Sequence, residues 1–141
     1  MTAKGYLQQI YIIHRKIRRL RARRDQVRAE LYSIGSPSGN MDADRVQSSM
    51  SGDTMLRLIA KVDQIERGIA SELDEMLELQ EKIIRQINAV QNERQRDILY
   101  QRYVLFRKWE QIAVDMDVSV RYVYMVHGDA LQSFARLHCI S

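Results

Sequence analysis

Apolar residues recur at alternating steps of three and four along two stretches of this chain, and that repeat limits the fold more than any other feature. In the first stretch, residues 6–34, they fall at Ile10, Ile13, Ile17, Leu20, Val27, Leu31 and Ile34, with Arg24 interrupting the ladder. In the second, Val62, Ile69, Met76, Ile83 and Val90 stand seven apart, supported by Leu58, Ile65, Leu73, Leu79 and Ile87. Such a period draws one narrow apolar seam along an α-helix. At 1.5 Å per residue the first helix is about 40 Å long, and a stripe that narrow must lie on a partner to persist. A single Pro in 141 residues permits long uninterrupted helices. The expected fold is all-α: a long antiparallel helical hairpin of coiled-coil type over residues 1–90, then a helical domain over residues 91–141.

Between the seams, residues 33–54 (SIGSPSGNMDADRVQSSMSGDT) hold the Pro, three Gly and many Ser, the composition of a surface loop. Asp53 or Thr54 is placed to cap the second long helix.

The net charge of +4 hides an asymmetry. Residues 1–32 carry nine basic side chains against two acidic; residues 33–90 carry six against ten; the remainder carries seven against six. Glu66, Glu72, Asp74, Glu75, Glu78 and Glu81 make the second helix acidic, so the two long helices can pair with matched flanks. The arginine run therefore reads as a solvated face answering those carboxylates, with a DNA-backbone contact as the alternative. A basic region of the bZIP kind fits least, because Ile17, Leu20 and Val27 carry an apolar seam straight through the run. The near-neutral C-terminal part weighs against strong, autonomous nucleic-acid binding there, since neutralising phosphates takes clustered Lys or Arg.

From Asn92 the pattern changes to short helices. Asn92 with Gln95 resembles a capping box opening a helix ERQRDILYQRYV, whose Ile98, Leu99, Tyr103 and Val104 suit a support role. Trp109, Ile112, Ala113 and Met116 make the inner stripe of the next helix, Asp117-Val118 turns the chain, and Ser119 caps a third carrying Val123 and Val126. Two helices that cross closely need a small residue in the first, an apolar residue in the turn and an aliphatic plug in the second. Ala113, Val118 and Val123 meet that need at intervals of five. The turn position more often holds Gly, because it takes a left-handed conformation; Asp117 tolerates that region better than most side chains. Gly128, inside the third helix, reads as a site of close packing or a local bend.

With those residues in view, NERQRDILYQRYVLFRKWEQIAVDMDVSVRYVYMVHGDALQSF resembles the promoter-reading region 4 of sigma-70-type factors: an R..IL..RY support helix, a W..IA helix, an S.R.VY recognition helix and an AL..F tail. The layout of the whole chain, including DRVQSS, also resembles small phage and prophage proteins grouped near the ArpU and RinA late-transcription regulators. The resemblance implies a sigma-region-4-like helix-turn-helix over 91–141 and a sequence-specific regulator of phage type that binds double-stranded DNA. It places Ser119, Val120, Arg121, Tyr124 and Met125 on the groove side of the third helix, with Tyr122 at the edge. Arg121 would pair with a guanine edge, Val120 or Met125 would touch a thymine methyl, and Ser119 or Tyr124 would hold phosphates. Arg102, Arg107 and Lys108 would contact the backbone nearby. Val120 and Met125 stand where sigma factors often carry charge, which leaves the base code unread. The competing reading makes YVYM a packing face against another subunit or the hairpin, in a helical interaction protein such as a phage packaging subunit or RNA polymerase adaptor.

No catalytic, metal or cofactor site is expected. His14, His127 and His138 are scattered, no histidine or cysteine joins His127 at ligand spacing, and His127 reads as a surface or satisfied residue. The carboxylates form a charge-rich stripe without a pocket. Cys139, the only cysteine, reads as a free thiol. No apolar run approaches the roughly 18 residues of a membrane span and the N-terminus lacks a signal-peptide core, so a cytoplasmic protein is expected, self-associating through its long helices and contacting double-stranded DNA, with RNA polymerase as a further partner.

Overall fold

The computed structural model describes the backbone of residues 1–35 and 44–140, with the side chains of 1–34 and 52–140. Every regular element among them is helical: α1 (Ala3–Leu7), α2 (Gln9–Gly35), α3 (Asp44–Asn88), α4 (Glu93–Leu99), a π-helical turn (Tyr100–Val104), α5 (Trp109–Met116) and α6 (Val120–Leu137).

Helix begins earlier than the apolar ladder predicts. Thr2 caps α1, its Oγ1 accepting from the Gly5 N–H at 3.1 Å, and Gln8 passes the chain into α2 with its carbonyl accepting from Ile12. The loop expected over 33–54 is also too long. Residues 33–35 close α2, and α3 is already helical at Asp44, so Asp53 and Thr54 lie inside it rather than capping it. Nothing after Pro37 forbids a helix. Ser and Gly cost only about 1 kcal/mol or less each, which extension of a formed helix absorbs. The part of that loop holding Pro37 and Gly39 falls in 36–43, outside the described residues.

The chain divides into two compact units, residues 15–74 and residues 1–14 with 75–141; the boundary expected at 90/91 falls inside the second of these. In the 15–74 unit, α2 and α3 run antiparallel. Lys16 Nζ meets Glu72 at 2.6 Å, and Glu66 takes both Arg28 at 2.9 Å and Arg24 at 3.4 Å. Arg24, which breaks the apolar ladder, thus reaches across to a carboxylate. Ile17, Val27, Ile65 and Ile69 are buried along the seam.

In the unit of 1–14 and 75–141, one apolar cluster joins Ala3, Leu7 and Ile10 to Ile83, Ile87 and Val90, and these to Leu99, Tyr103, Val104, Ala130 and Phe134. Each fully buried Leu, Ile or Phe contributes about 1.5–3 kcal/mol of transfer free energy. Polar ties close its edge: Tyr6 Oη donates to Gln86 Oε1 at 2.6 Å, and His138 Nε2 lies 2.7 Å from the Gln86 carbonyl. A second cluster of Ile98, Ile112, Ala113, Val123 and Val126 sits beneath the corner between α5 and α6.

Candidate functional site

The corner is built from local hydrogen bonds that its sequence specifies. Asn92 Oδ1 accepts from the Gln95 N–H at 3.1 Å and starts α4. Arg96 reaches back from α4 to the Val90 carbonyl at 2.8 Å and the Gln91 carbonyl at 3.0 Å, holding the entry to the helix. Gln111 Oε1 accepts from the Lys108 N–H at 3.1 Å at the start of α5. Asp117 is left-handed, φ 55° and ψ 47°, and there the Val118 N–H returns to the Ala113 carbonyl at 3.0 Å. Ser119 Oγ then accepts from the Tyr122 N–H at 3.1 Å and opens α6. Ala113 is 3% exposed and Val123 0%, so the small residue and the aliphatic plug meet in the crossing as their spacing predicts.

The support element departs from a plain helix. After Leu99 the chain widens into a π-turn, the Leu105 N–H donating to the Tyr100 carbonyl at 3.1 Å. The wider turn carries Gln101 inward, to 3% exposure. Its amide nitrogen donates to Asp97 and Asp115, each at 3.0 Å, while its oxygen accepts from Arg107 at 3.1 Å. One neutral amide thereby links α4, the loop and α5. Phe106 follows with φ 57°, its ring 4.7 Å from that of His14 and 5.4 Å from that of Tyr11.

The residues singled out from the sequence separate into groups. Ser119, Arg121, Tyr124 and Met125 are exposed together on α6, with Tyr124 at 50% and Met125 at 58%. Val120 and Tyr122 are half-buried against the second cluster. Tyr122 is also held by Arg94, whose Nη1 donates to its hydroxyl at 2.5 Å. Arg102 is half-buried, its guanidinium 4.3 Å over the Trp109 ring and donating to the Arg107 carbonyl at 2.9 Å. Arg107 is shared between Gln101 and a distant ion pair with Asp115 at 3.9 Å. Lys108 is exposed, and of these three cations it alone has no side-chain bond or ion pair among the described residues. Trp109 is the hub beneath the exposed face, 5.3 Å from Tyr124 and 4.6 Å from His127, both edge-on.

His127 is an inner-face residue, 8% exposed, and Tyr103 Oη lies 2.7 Å from its Nε2. Burial, with smaller effects of Lys4 and Arg102, pulls its pKa down to about 4. Burial pushes the Tyr103 phenol up to about 12, against a smaller lowering by Arg102. Both groups are neutral at pH 7. The spacing of His127 four residues after Val123 was the available signal for its burial; nothing in the sequence signals the π-turn or the Gln101 links. Gly128 is neither a tight contact nor a bend. A Cβ there would meet nothing within 4 Å, and α6 runs through it.

Among the described residues no cluster of His, Cys, Asp or Glu has metal-binding geometry, and no helix is long and apolar enough to cross a membrane. No curated protein and no solved structure matches the chain. A family model described as protein of unknown function (DUF1492) matches residues 35–134, well over half the sequence and the whole of the α4–α5 support and corner. The chain belongs to the DUF1492 family.

Proposed function

We propose that this protein is a sequence-specific double-stranded-DNA-binding regulator of phage type, in which α5 and α6 form a helix-turn-helix of the sigma-70 region 4 kind. The observation that carries this is the joint exposure of Ser119, Arg121, Tyr124 and Met125 on a helix whose opposite face is anchored by Val123, Val126, Ala130 and Phe134. A rod fixed on one side and clear on the other is what insertion into a major groove requires. Arg121 is the base-reading cation, Met125 and Tyr124 supply apolar and hydroxyl contacts, and Lys108 takes a phosphate. Val120 and Tyr122 act from beneath, by setting the tilt of α6. The protein has no catalytic role, works in the cytoplasm without a cofactor, and self-associates through its long helices, with RNA polymerase a further partner.

Selection of bound fragments from a random duplex library, followed by sequencing, tests the assignment. A defined motif is expected, and Arg121→Ala should cost about 1–3 kcal/mol at that site and relax one base pair. Failure to bind any duplex at low salt, where phosphate contacts are strongest, overturns it.

A second reading has its own support. Val114 is 82% exposed and lies, with Tyr124 and Met125, among the large apolar side chains open to solvent on α5 and α6, which suits a helical assembly protein such as a packaging subunit or polymerase adaptor. Oligomer number separates the two: a closed ring of eight or more copies favours assembly, a monomer or dimer favours regulation.

A further inference from the structure

The cations of α2 divide by what they touch. Lys16, Arg24 and Arg28 border the seam and reach the carboxylates of Glu72 and Glu66. Arg18, Arg19 and Arg21 are exposed and meet no carboxylate among the described residues, and Arg23 bonds only the neutral amide of Gln26, at 2.9 Å. Within the 15–74 unit the acidic helix does not answer them: Glu66 and Glu72 are taken by Lys16, Arg24 and Arg28, Asp63 pairs with Arg67, and Asp74 is exposed without an ion pair among the described residues. Residues three and four apart are neighbours on a helix. Arg18 with Arg21 and Arg19 with Arg23 are therefore neighbours and form a ridge on the solvent side of the helix, about 8 Å long at 1.5 Å rise per residue. Like charges so placed repel by a few tenths of a kcal/mol per pair, and no carboxylate among the described residues meets these four to offset that cost.

An ordered polyanion offsets it. Guanidinium groups bind phosphate in two-pronged fashion, and the ridge is arginine throughout. A lipid surface fits worse, because a helix lying among headgroups needs a free apolar face, whereas Ile17 and Val27 of α2 are only 2% and 1% exposed. The corner, for its part, carries Glu110, Asp115, Asp117 and Asp129 beside few unengaged cations, too little positive charge to supply the electrostatic share of DNA affinity.

We propose that the ridge of Arg18, Arg19, Arg21 and Arg23 is a binding surface for the phosphate backbone of double-stranded DNA, giving sequence-independent affinity while the corner reads bases; this rests on the DNA-binding assignment above. The test is a salt titration of the full chain on a random-sequence duplex, followed by fluorescence anisotropy. With Arg18, Arg19, Arg21 and Arg23 all changed to Gln, the slope of log affinity against log salt should become shallower by about 3 to 4, since each phosphate contact contributes about 0.9. The same four changed to Lys should retain the wild-type slope. If circular dichroism shows the Gln variant unfolded, the pairs R18Q/R21Q and R19Q/R23Q, each expected to remove about half the change, replace it.

An unchanged slope overturns the ridge. So does polyglutamate that binds as tightly as duplex and is lost in the Gln variant, which would mark an acidic protein partner. The two assignments fail separately. A lost slope with a motif indifferent to Arg121→Ala keeps the ridge and removes the base-reading corner; an unchanged slope with a motif altered by Arg121→Ala does the reverse.

Discussion

Tyr103 Oη and His127 Nε2 stand 2.7 Å apart, joining the π-turn to the inner face of α6 beneath Trp109. The pair fixes α6 to its support through two neutral polar groups in a largely apolar setting, and it makes the corner sensitive to acid.

Because His127 titrates near 4 in the fold, below its ordinary 6.5, the unfolded chain binds a proton that the native state refuses. Stability is complete above about pH 6.5 and declines as pH falls toward about 4, by at most about 3 kcal/mol from this group. Urea unfolding at several pH values should show the decline, and His127→Gln should flatten it in that window while lowering stability at pH 7. Equal pH dependence of the two proteins would assign the acid sensitivity to the carboxylates.

Asp117 is held left-handed at φ 55°, a region that costs an L-residue about 1–2 kcal/mol and glycine little. Asp117→Gly should stabilise the protein by about 0.5 kcal/mol after the extra freedom of unfolded glycine is subtracted. Asp117→Val should destabilise it by about 1–2 kcal/mol, since a β-branched side chain fits this region worst. Chemical denaturation midpoints give both values.

Gly128 lies inside α6 with open space around its missing Cβ. Gly128→Ala should raise stability by about 0.5–1 kcal/mol, through helix propensity alone. Thermal unfolding followed by circular dichroism measures the gain, and a destabilised variant would show that the backbone at Gly128 is constrained in a way helix propensity does not describe.

Gln101 is buried among Asp97, Arg107 and Asp115. Gln101→Leu removes a donor and acceptor but leaves three polar partners, so it should cost about 1–3 kcal/mol. Gln101→Glu should be worse still, because it brings a third carboxylate against Asp97 and Asp115. Thermal unfolding followed by circular dichroism ranks the two variants.

The corner was readable because its determinants are local. Asn92 and Ser119 cap the following turn through their own side chains, Asp117 has the side chain most at ease in its conformation after Gly and Asn, and Ala113, Val118 and Val123 carry their spacing in the chain itself. The antiparallel pairing of the long helices followed from charge and period together. What escaped depends on distant partners. Helix at Ala3 needs the cap of Thr2 and a core supplied in part by Ile87 and Phe134, and the π-turn needs the convergence of Gln101 with Asp115, a residue fourteen positions on. The engagement of Arg102 with Trp109 and of Arg107 with Gln101 could not be read without coordinates, because the sequence gives a cation's position and not its partner. The early start of α3 was hidden by Ser and Gly, whose turn preference is weaker than the drive to extend a helix already begun.

Leu7 and Phe134 share one buried cluster, which sets a condition on biogenesis. Leu7 leaves the ribosome well before Phe134 and completes its packing only once α6 has also emerged, so this core closes late, across a very long span of chain. The α2–α3 seam, whose partners Ile17, Val27, Ile65 and Ile69 all precede α6, can close before that.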